Sequence, residues 1–418
     1  MAIKKIKISN FKSFKDLEVE LGKFNVLIGA NASGKSNFIQ IFKFLMDITN
    51  YGLDNAISMQ GGIEYLRNVN VGLSENFSLE IVSDQEFGRV LERKRKGLIG
   101  INAYETIYKF ALQFKKREQE FEIVEDKLTY KGDFFQLEKK KDGGIEEKEK
   151  LGKGEIIYFV TNDREIKVNL NISKDLGVRE DDIIPQFLRR KFGPKDLLIG
   201  HPFYIYFFND SFSIYDFDPK LPKKGTPITG KAELEEDGSN LAIVLKNILE
   251  NDDKKRKFSN LVKDLLPFVD DLDVEKFADK SLLFKLREIY AKKYYLPSSL
   301  ISDGTINITA LIIALYFDKK RSTSTIIIEE PERNIHPYLI SKVVEMMKDA
   351  SQKKQIIVTT HNPEMVKHAG VENILLISRD KEGFSVISKP YEKETVKTFL
   401  QNELGIEELY VQNYLPGL

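Results

Sequence analysis

The segment Gly29-Ala-Asn-Ala-Ser-Gly34-Lys35-Ser36 fits the spacing G-x-x-x-x-G-K-[ST] at every position. Glycines there let the backbone curl until successive N–H groups converge on phosphate oxygens. A helix starting at about Ser36 adds its positive N-terminal end. Lys35 supplies a mobile cation for the outer phosphates of a nucleotide, and the Ser36 hydroxyl suits Mg²⁺. The plain alternative, a glycine turn without a ligand, is disfavoured by the apolar strand before it and the amphipathic helix after it.

Three further segments carry reactive side chains. Ile326-Ile327-Ile328-Glu329-Glu330 runs three β-branched residues into two carboxylates. At the end of a core strand, one carboxylate would hold the metal and the next would orient or deprotonate a water. Acidic residues after a strand are as often merely solvated, so this segment takes its meaning from the glycine loop. Thr359-Thr360-His361 also follows an apolar strand, and a histidine there can donate to a γ-phosphate. A lone histidine is usually structural, and His201, His336 and His368 are read that way. Ser302-Asp303-Gly304-Thr305 opens a strongly apolar helix. By residue type it reads first as a cap, with Ser302 or Asp303 satisfying free N–H groups. The alternative is a helix N-terminus facing a phosphate, including one held by a second subunit.

The elements that must position these groups emerge from periodicity. Ile3 to Ser9 and Leu17 to Leu21 alternate as strands, and Phe24 to Ile28 is a short, nearly continuous apolar run of the kind buried on both faces. A helix from about Ser36 to Asp47 places Phe38, Ile41, Phe42, Leu45 and Met46 on one face. Strand-like stretches such as Ile107 to Phe114 and Glu155 to Val160 occupy the middle. The charged segment Glu138 to Gly154 between them reads as a solvated, mobile loop. Asp218 to Gly230, rich in proline and glycine, reads as a connector. Helical patterns cover about Ala232 to Asn251, Lys254 to Leu266, Thr305 to Phe317 and Pro337 to Ala350. Buried strands are expected at Thr325 to Ile328 and Ile356 to Thr359, and a hairpin at Leu375 to Ser378 and Phe384 to Ile387. Strands alternating with helices at both ends indicate an α/β domain with a large insertion.

Composition excludes several classes. The 418 residues include no cysteine, so disulfides and thiolate-bound metal are excluded. A 42% hydrophobic content is enough for a core and argues against wholesale disorder. Lys plus Arg (64) balance Asp plus Glu (64), which does not advertise a nucleic-acid binder. The most apolar stretch, Ile306 to Phe317, is too short to span a bilayer and contains Asn307 and Thr309. Lys4, Lys5 and Lys7 lead into no apolar run, because Lys12 and Lys15 interrupt it, so no secretory signal is expected. A soluble, cytoplasmic protein with no membrane partner is the expectation.

The order and spacing of the four segments resemble the ABC-type ATPase heads of the RecF, SMC and OLD group, a branch of the broad AAA family of ATPases. IKISNFKSF at Ile6 to Phe14 looks like the group's opening strand and GANASGKSN at Gly29 to Asn37 like its Walker A. ISDGT at Ile301 to Thr305 resembles its signature, IIIEEPERNIHP at Ile326 to Pro337 its Walker B and D-loop, and IIVTTHNPEMV at Ile356 to Val366 its switch-histidine segment. The resemblance implies an α/β P-loop NTPase fold with a mixed sheet, an antiparallel β subregion and an α+β insertion. Residues 1–84 would carry the N-terminal part of the ATPase head, residues 85–230 the insertion and partner-docking region, and residues 231–418 the helical region and the rest of the head.

By the same resemblance, Gly29, Asn31, Ala32, Ser33, Gly34, Lys35, Ser36 and Asn37 would bind ATP. Ser36 and Glu329 would serve Mg²⁺, joined by Gln60 as the Q-loop residue, with Gln40 the weaker choice. Glu330 would be the catalytic base, with His361 sensing the γ-phosphate. Ser302 and Gly304 would reach the γ-phosphate of the opposite protomer in a head-to-tail homodimer, or a higher oligomer. Asn334 and His336 fall in the D-loop. Lys12 and Ser13 match a nucleotide-contacting position. Asn307 departs from the pattern, standing where relatives often carry a basic residue, which would weaken trans contacts. No heptads fill the insertion, so long SMC-like arms are not expected. The 57 residues after His361 are too few for the Toprim nuclease of OLD proteins. The resemblance therefore implies an ATP-driven switch controlling a separate nuclease or toxin, encoded by a neighbouring gene, in anti-phage defence or a toxin–antitoxin-like system. A RecF-like DNA-repair protein is the alternative. Basic clusters at Arg93 to Lys96, Lys115 to Arg117 and Arg189 to Lys191 would then contact DNA. A transporter subunit is disfavoured by the N-terminal strand, the ISDGT segment and EEPE.

Overall fold

The structure is a computed structural model. It describes residues 2–84, 87–93, 97–115, 120–140, 142–172, 192–200, 212–277, 280–291, 293–317, 324–396, 405–412 and 415. The chain forms two compact units. One comprises Met1–Leu21, Ser36–Asn209 and Asp380–Ile387, the other Gly22–Lys35, Asp210–Arg379 and Ser388–Leu418.

The second unit holds a parallel sheet. Five of the sheet's six strands lie within this unit, β1 (Phe24–Ile28), β2 (Phe212–Tyr215), β3 (Thr325–Glu329), β4 (Gln355–Thr359) and β5 (Ile374–Arg379), in the order β2-β3-β4-β1-β5. Each neighbouring pair is parallel. All residues of β1 and β4 are buried, as expected for strands covered on both faces. Burying a side chain such as Val26, Ile28 or Val358 contributes about 1.5–3 kcal/mol. Two helices of this unit matter to the site, α2 (Asp303–Tyr316) and α3 (Pro337–Ser351); α1 (Lys35–Tyr51) begins at its Lys35 and belongs to the other unit from Ser36 on. Every residue of α2 from Thr305 to Leu315 is buried, so its sequence is apolar all round rather than striped. A small antiparallel sheet of Thr226–Pro227, Val269–Phe277, Ser281–Glu288 and Leu296–Pro297 belongs to the same unit.

The first unit is built on an eight-stranded antiparallel sheet containing Ile3–Phe11, Phe14–Glu20, Phe77–Ser83 and the long strands Gly97–Phe114, Phe121–Lys139 and Ile145–Val160. Rings of Phe11, Phe44, Phe77 and Phe110 pack at centroid distances of 5.5–6.2 Å, which seats α1 against the sheet within this unit. Asp126 is buried in the same sheet. It accepts hydrogen bonds from Tyr108 Oη at 3.1 Å and from the Leu198 amide at 2.8 Å. Burial pushes its carboxyl up to about 7.

The α/β class therefore stands, with the antiparallel β subregion in a unit of its own. One expectation is corrected. Glu138 to Gly154 is not a loop, because strands run through it and leave only residues 140–144 between them. Its charges face each other across the ladder: Lys148 lies 3.0 Å from Glu138, Lys140 3.2 Å from Glu146 and Lys150 3.0 Å from Asp133. Opposite charges on paired strands favour the sheet that a single-strand reading disfavours. Among the described residues no helix is long and apolar enough to cross a membrane. His201, Arg189 to Lys191 and most of the other two basic clusters lie outside the described residues. Of those two clusters only the Lys115 side chain is described, and it pairs with Glu122 at 2.5 Å.

Candidate functional site

The glycine loop leaves the end of β1 and runs into α1 at Lys35. At Gly29 an added Cβ would lie 2.2 Å from the Ile377 carbonyl oxygen of β5, so no side chain fits where the loop begins. Ala32 takes a left-handed φ of 62°, and its carbonyl is held by Arg379 Nε and Nη2 at 3.1 and 2.9 Å. Asn31 and Ala32 are exposed at the loop's outer edge, while Ser33 and Gly34 are buried. Lys35 Nζ donates to the carbonyls of Gly29 and Ala30 at 2.7 and 3.1 Å. Burial pulls its ammonium below the ordinary lysine range, and the charge of Glu330 partly opposes this. Ser36 is exposed in the first turn of α1, next in sequence to Lys35.

Two strand ends supply the acidic and imidazole groups. β3 ends at Glu329, and Glu330 turns away with a left-handed φ of 45°, its amide donating to Thr359 O of β4 at 3.0 Å. That conformation is rare for a residue with a Cβ and is characteristic of functional turns. Glu330 Oε1 lies 3.0 Å from His361 Nδ1, within reach of a hydrogen bond from a protonated Nδ1. Glu332 is 5% exposed. One of its oxygens accepts from Thr360 Oγ1, and the other has no hydrogen bond among the described residues. Burial raises its carboxyl above the ordinary range. Thr360 Oγ1 also accepts from the Asn362 amide at 2.9 Å, so Glu332 fixes the turn that carries His361.

The segment before α2 lies in the same unit. Ser302 caps the helix, its Oγ accepting from the Thr305 amide at 3.2 Å, and it remains exposed. Asp303 pairs with Lys223 at 2.5 Å. An added Cβ at Gly304 would lie 2.5 Å from the Asn334 carbonyl oxygen, so the glycine admits the turn after β3. Asn307, 3% exposed, donates from Nδ2 to the Arg333 carbonyl at 2.6 Å. Asn334, with φ 62°, and His336, which caps α3, are both exposed.

Lys35, Glu329, Glu330, His361, Ser302 and Gly304 thus share one unit. Lys12, Ser13, Ser36, Asn37 and Gln60 belong to the other. There Lys12 has φ 47°, and burial lowers its ammonium's pKa. Ser13 Oγ accepts from Asn37 Nδ2 and from Ser385 Oγ, each at 2.8 Å. Gln60 is buried, with Oε1 making no hydrogen bond among the described residues. Gln40 lies within α1. His368 lies in the helix Pro363–Ala369, 3.6 Å from Glu364.

Sequence reading missed Arg379, Glu332, Arg333 and Asp216, and named Thr360 without its bond to Glu332. The acid of EEPE and the arginine after it were visible as residues, but their partners come from other strands. Among the described residues no three Asp, Glu, Cys or His side chains gather into a metal cage. Within the second unit, a glycine loop carrying Lys35 and a carboxylate at Glu329 are of the chemistry that suits phosphate with Mg²⁺, which takes few protein ligands beside phosphate oxygens.

Comparison with known proteins adds four findings. Septu protein PtuA of Bacillus thuringiensis is 25% identical over 99 residues, 22% of this chain, and the match spans a quarter of that protein's length. A solved SMC head bound to the C-terminal winged-helix domain of ScpA is similar, at 17% identity, with a TM-score of 0.46 over 93% of this chain and 98% of the other. The SMC head domain from Thermotoga maritima is similar at 14% identity and a TM-score of 0.41, over 93% and 99%. A family model described as "AAA domain, putative AbiEii toxin, Type IV TA system" matches residues 24–367, from β1 through the helix after His361, and by that span the chain belongs to this AAA-domain family.

Proposed function

We propose that the protein hydrolyses ATP with Mg²⁺ at composite sites of a head-to-tail homodimer. The observation that carries this is the meeting of Glu330 and His361 at the ends of adjacent strands β3 and β4, in the unit where Lys35 ends the glycine loop. Backbone amides from Gly29 to Lys35 and the Lys35 ammonium hold the phosphates. Ser36 and Glu329 would hold Mg²⁺, which would neutralise charge on the phosphate oxygens. Glu330 takes the proton of the attacking water on a side-chain oxygen. His361 orients Glu330 and faces the γ-phosphate. The exposed Ser302 at the α2 N-terminus reaches the nucleotide of the second copy.

The switch acts on another protein, a nuclease or toxin encoded alongside, in defence or a toxin–antitoxin-like system. The family's description, which names a putative toxin of a type IV toxin–antitoxin system, supports the setting in such a system and not the separate effector, which rests on the partner experiment below. The test is a pair of variants. Lys35→Ala should abolish nucleotide binding, and Glu330→Gln should bind ATP, turn it over very slowly and accumulate as a dimer. Unchanged ATP affinity in the first, or normal turnover in the second, removes the assignment. The neighbour-encoded partner should copurify with Glu330→Gln in ATP and not in ADP. Equal recovery in both removes the switch.

A further inference from the structure

Arg333 lies three residues beyond Glu330 and is spread over several acceptors. Its Nη2 and Nε lie 3.2 and 3.4 Å from Glu330 Oε2. Its Nη1 lies 3.0 Å from Asp216 Oδ1 and 3.3 Å from the Phe217 carbonyl, both just beyond the end of β2. Its own carbonyl is taken by Asn307 of α2. Given Glu330 as the base proposed above, we infer that Arg333 is a positioning residue for it, anchored by Asp216.

A glutamate at a strand end has several free torsions, and fixing them costs roughly 1.5–2 kcal/mol of rotamer entropy. His361 on Oε1 leaves the carboxylate able to swing about that single contact. A second grip on Oε2 removes the swing and fixes the carboxylate plane. The guanidinium suits this because its donors form a rigid fork. Rotation that kept one acceptor would lose the others, which a lysine ammonium on a flexible stem would not enforce. The Asp216, Arg333 and Glu330 side chains are 45%, 39% and 30% exposed. Ion pairs at such exposure add little stability. What the chain of contacts supplies is orientation, and the reaction depends on it, since a misplacement near 1 Å costs on the order of a hundredfold.

Steady-state hydrolysis and ATP affinity of the full chain test this. Arg333→Gln and Asp216→Asn should each lower kcat, on the order of tenfold or more for the first, with ATP affinity unchanged. Arg333→Lys should recover less than half of the loss. The Asp216→Asn/Arg333→Gln double variant should be no slower than Arg333→Gln alone, because Asp216 acts through Arg333. A kcat within twofold of the parent in Arg333→Gln, a rise in kcat, additive losses in the double variant, or loss through ATP affinity alone would each overturn the inference. Should Arg333→Gln fail to fold, Asp216→Asn carries the same test. Normal turnover in Glu330→Gln would defeat the base assignment itself. An inactive Glu330→Gln beside a normal Arg333→Gln would defeat only the role of Arg333.

Discussion

Gly304 has a reason to be glycine inside its own chain, apart from any contact with a second copy. An added Cβ would lie 2.5 Å from the Asn334 carbonyl oxygen, 3.5 Å from its carbon and 3.7 Å from Ile335 Cα. Ordinary contact lies near ~3.5 Å, so helix and loop would have to part by about 1 Å. Neither side yields easily. The Arg333 carbonyl is tied to Asn307, the Ile335 amide donates to Glu332 O at 3.0 Å, and Ile335 is buried. Overpacking of this kind costs about 1–3 kcal/mol. Alanine's helix preference returns up to ~1 kcal/mol, less in a first turn. The expected net cost of Gly304→Ala is therefore about 1–2 kcal/mol. In a unit of this size that lowers Tm by roughly 2–8 °C. Thermal unfolding without nucleotide isolates this from any contact with a second copy. Gly383→Ala is the control for strain alone, since its φ is 86° and nothing lies within 4 Å. An unchanged or raised Tm in Gly304→Ala would refute the packing argument and leave phosphate contact as the only demand for glycine.

Two other perturbations have expected outcomes. Asp126, with its carboxyl near 7 folded against 3.8 unfolded, binds a proton in the folded chain that the unfolded chain has released. Stability from this group is full below 3.8 and falls as pH rises through 7, by roughly 2–3 kcal/mol between about pH 5 and 8. Asp126→Asn should remove that fall in urea unfolding at the two pH values, and a slope equal to the parent's would contradict it. Glu332→Gln keeps an acceptor for Thr360 and should preserve stability at neutral pH. Glu332→Ala leaves the Thr360 hydroxyl without it and should cost about 1–3 kcal/mol. Equal denaturation midpoints for the two would show that the bond does not matter.

What was legible in the sequence was local. Phe24–Ile28 was readable to the residue, because an apolar run broken only by Asn25 ends at the glycine where the loop turns. Asp303–Tyr316 was readable because its cap and apolar length are contiguous. The charged stretch from Glu138 was misread because its support is the opposite strand, where Lys148 and Glu138 neutralise each other. The site divides in the same way. Lys35, Ser36, Glu330 and His361 sit in short segments whose residue types mark them as candidates. Asp216 lies 117 residues from Arg333, and Arg379 lies 347 residues from Ala32, so nothing local marks either partner.

Glu330 and Asn334 are both left-handed, at 45° and 62°, within one short turn. Each such residue costs about 1–2 kcal/mol relative to its relaxed backbone. Half-exposed ion pairs cannot offset that, since their worth is about 0–1 kcal/mol and falls with salt. The offset must come from the main chain: the Glu330 amide on Thr359, the Arg333 amide on the Glu330 carbonyl, the Ile335 amide on the Glu332 carbonyl, and the Arg333 carbonyl under Asn307. The turn's shape is thus a property of β3, β4 and α2. If Arg333 and His361 direct the Glu330 carboxylate as proposed, removing either should change the rate of chemistry more than the stability of the fold.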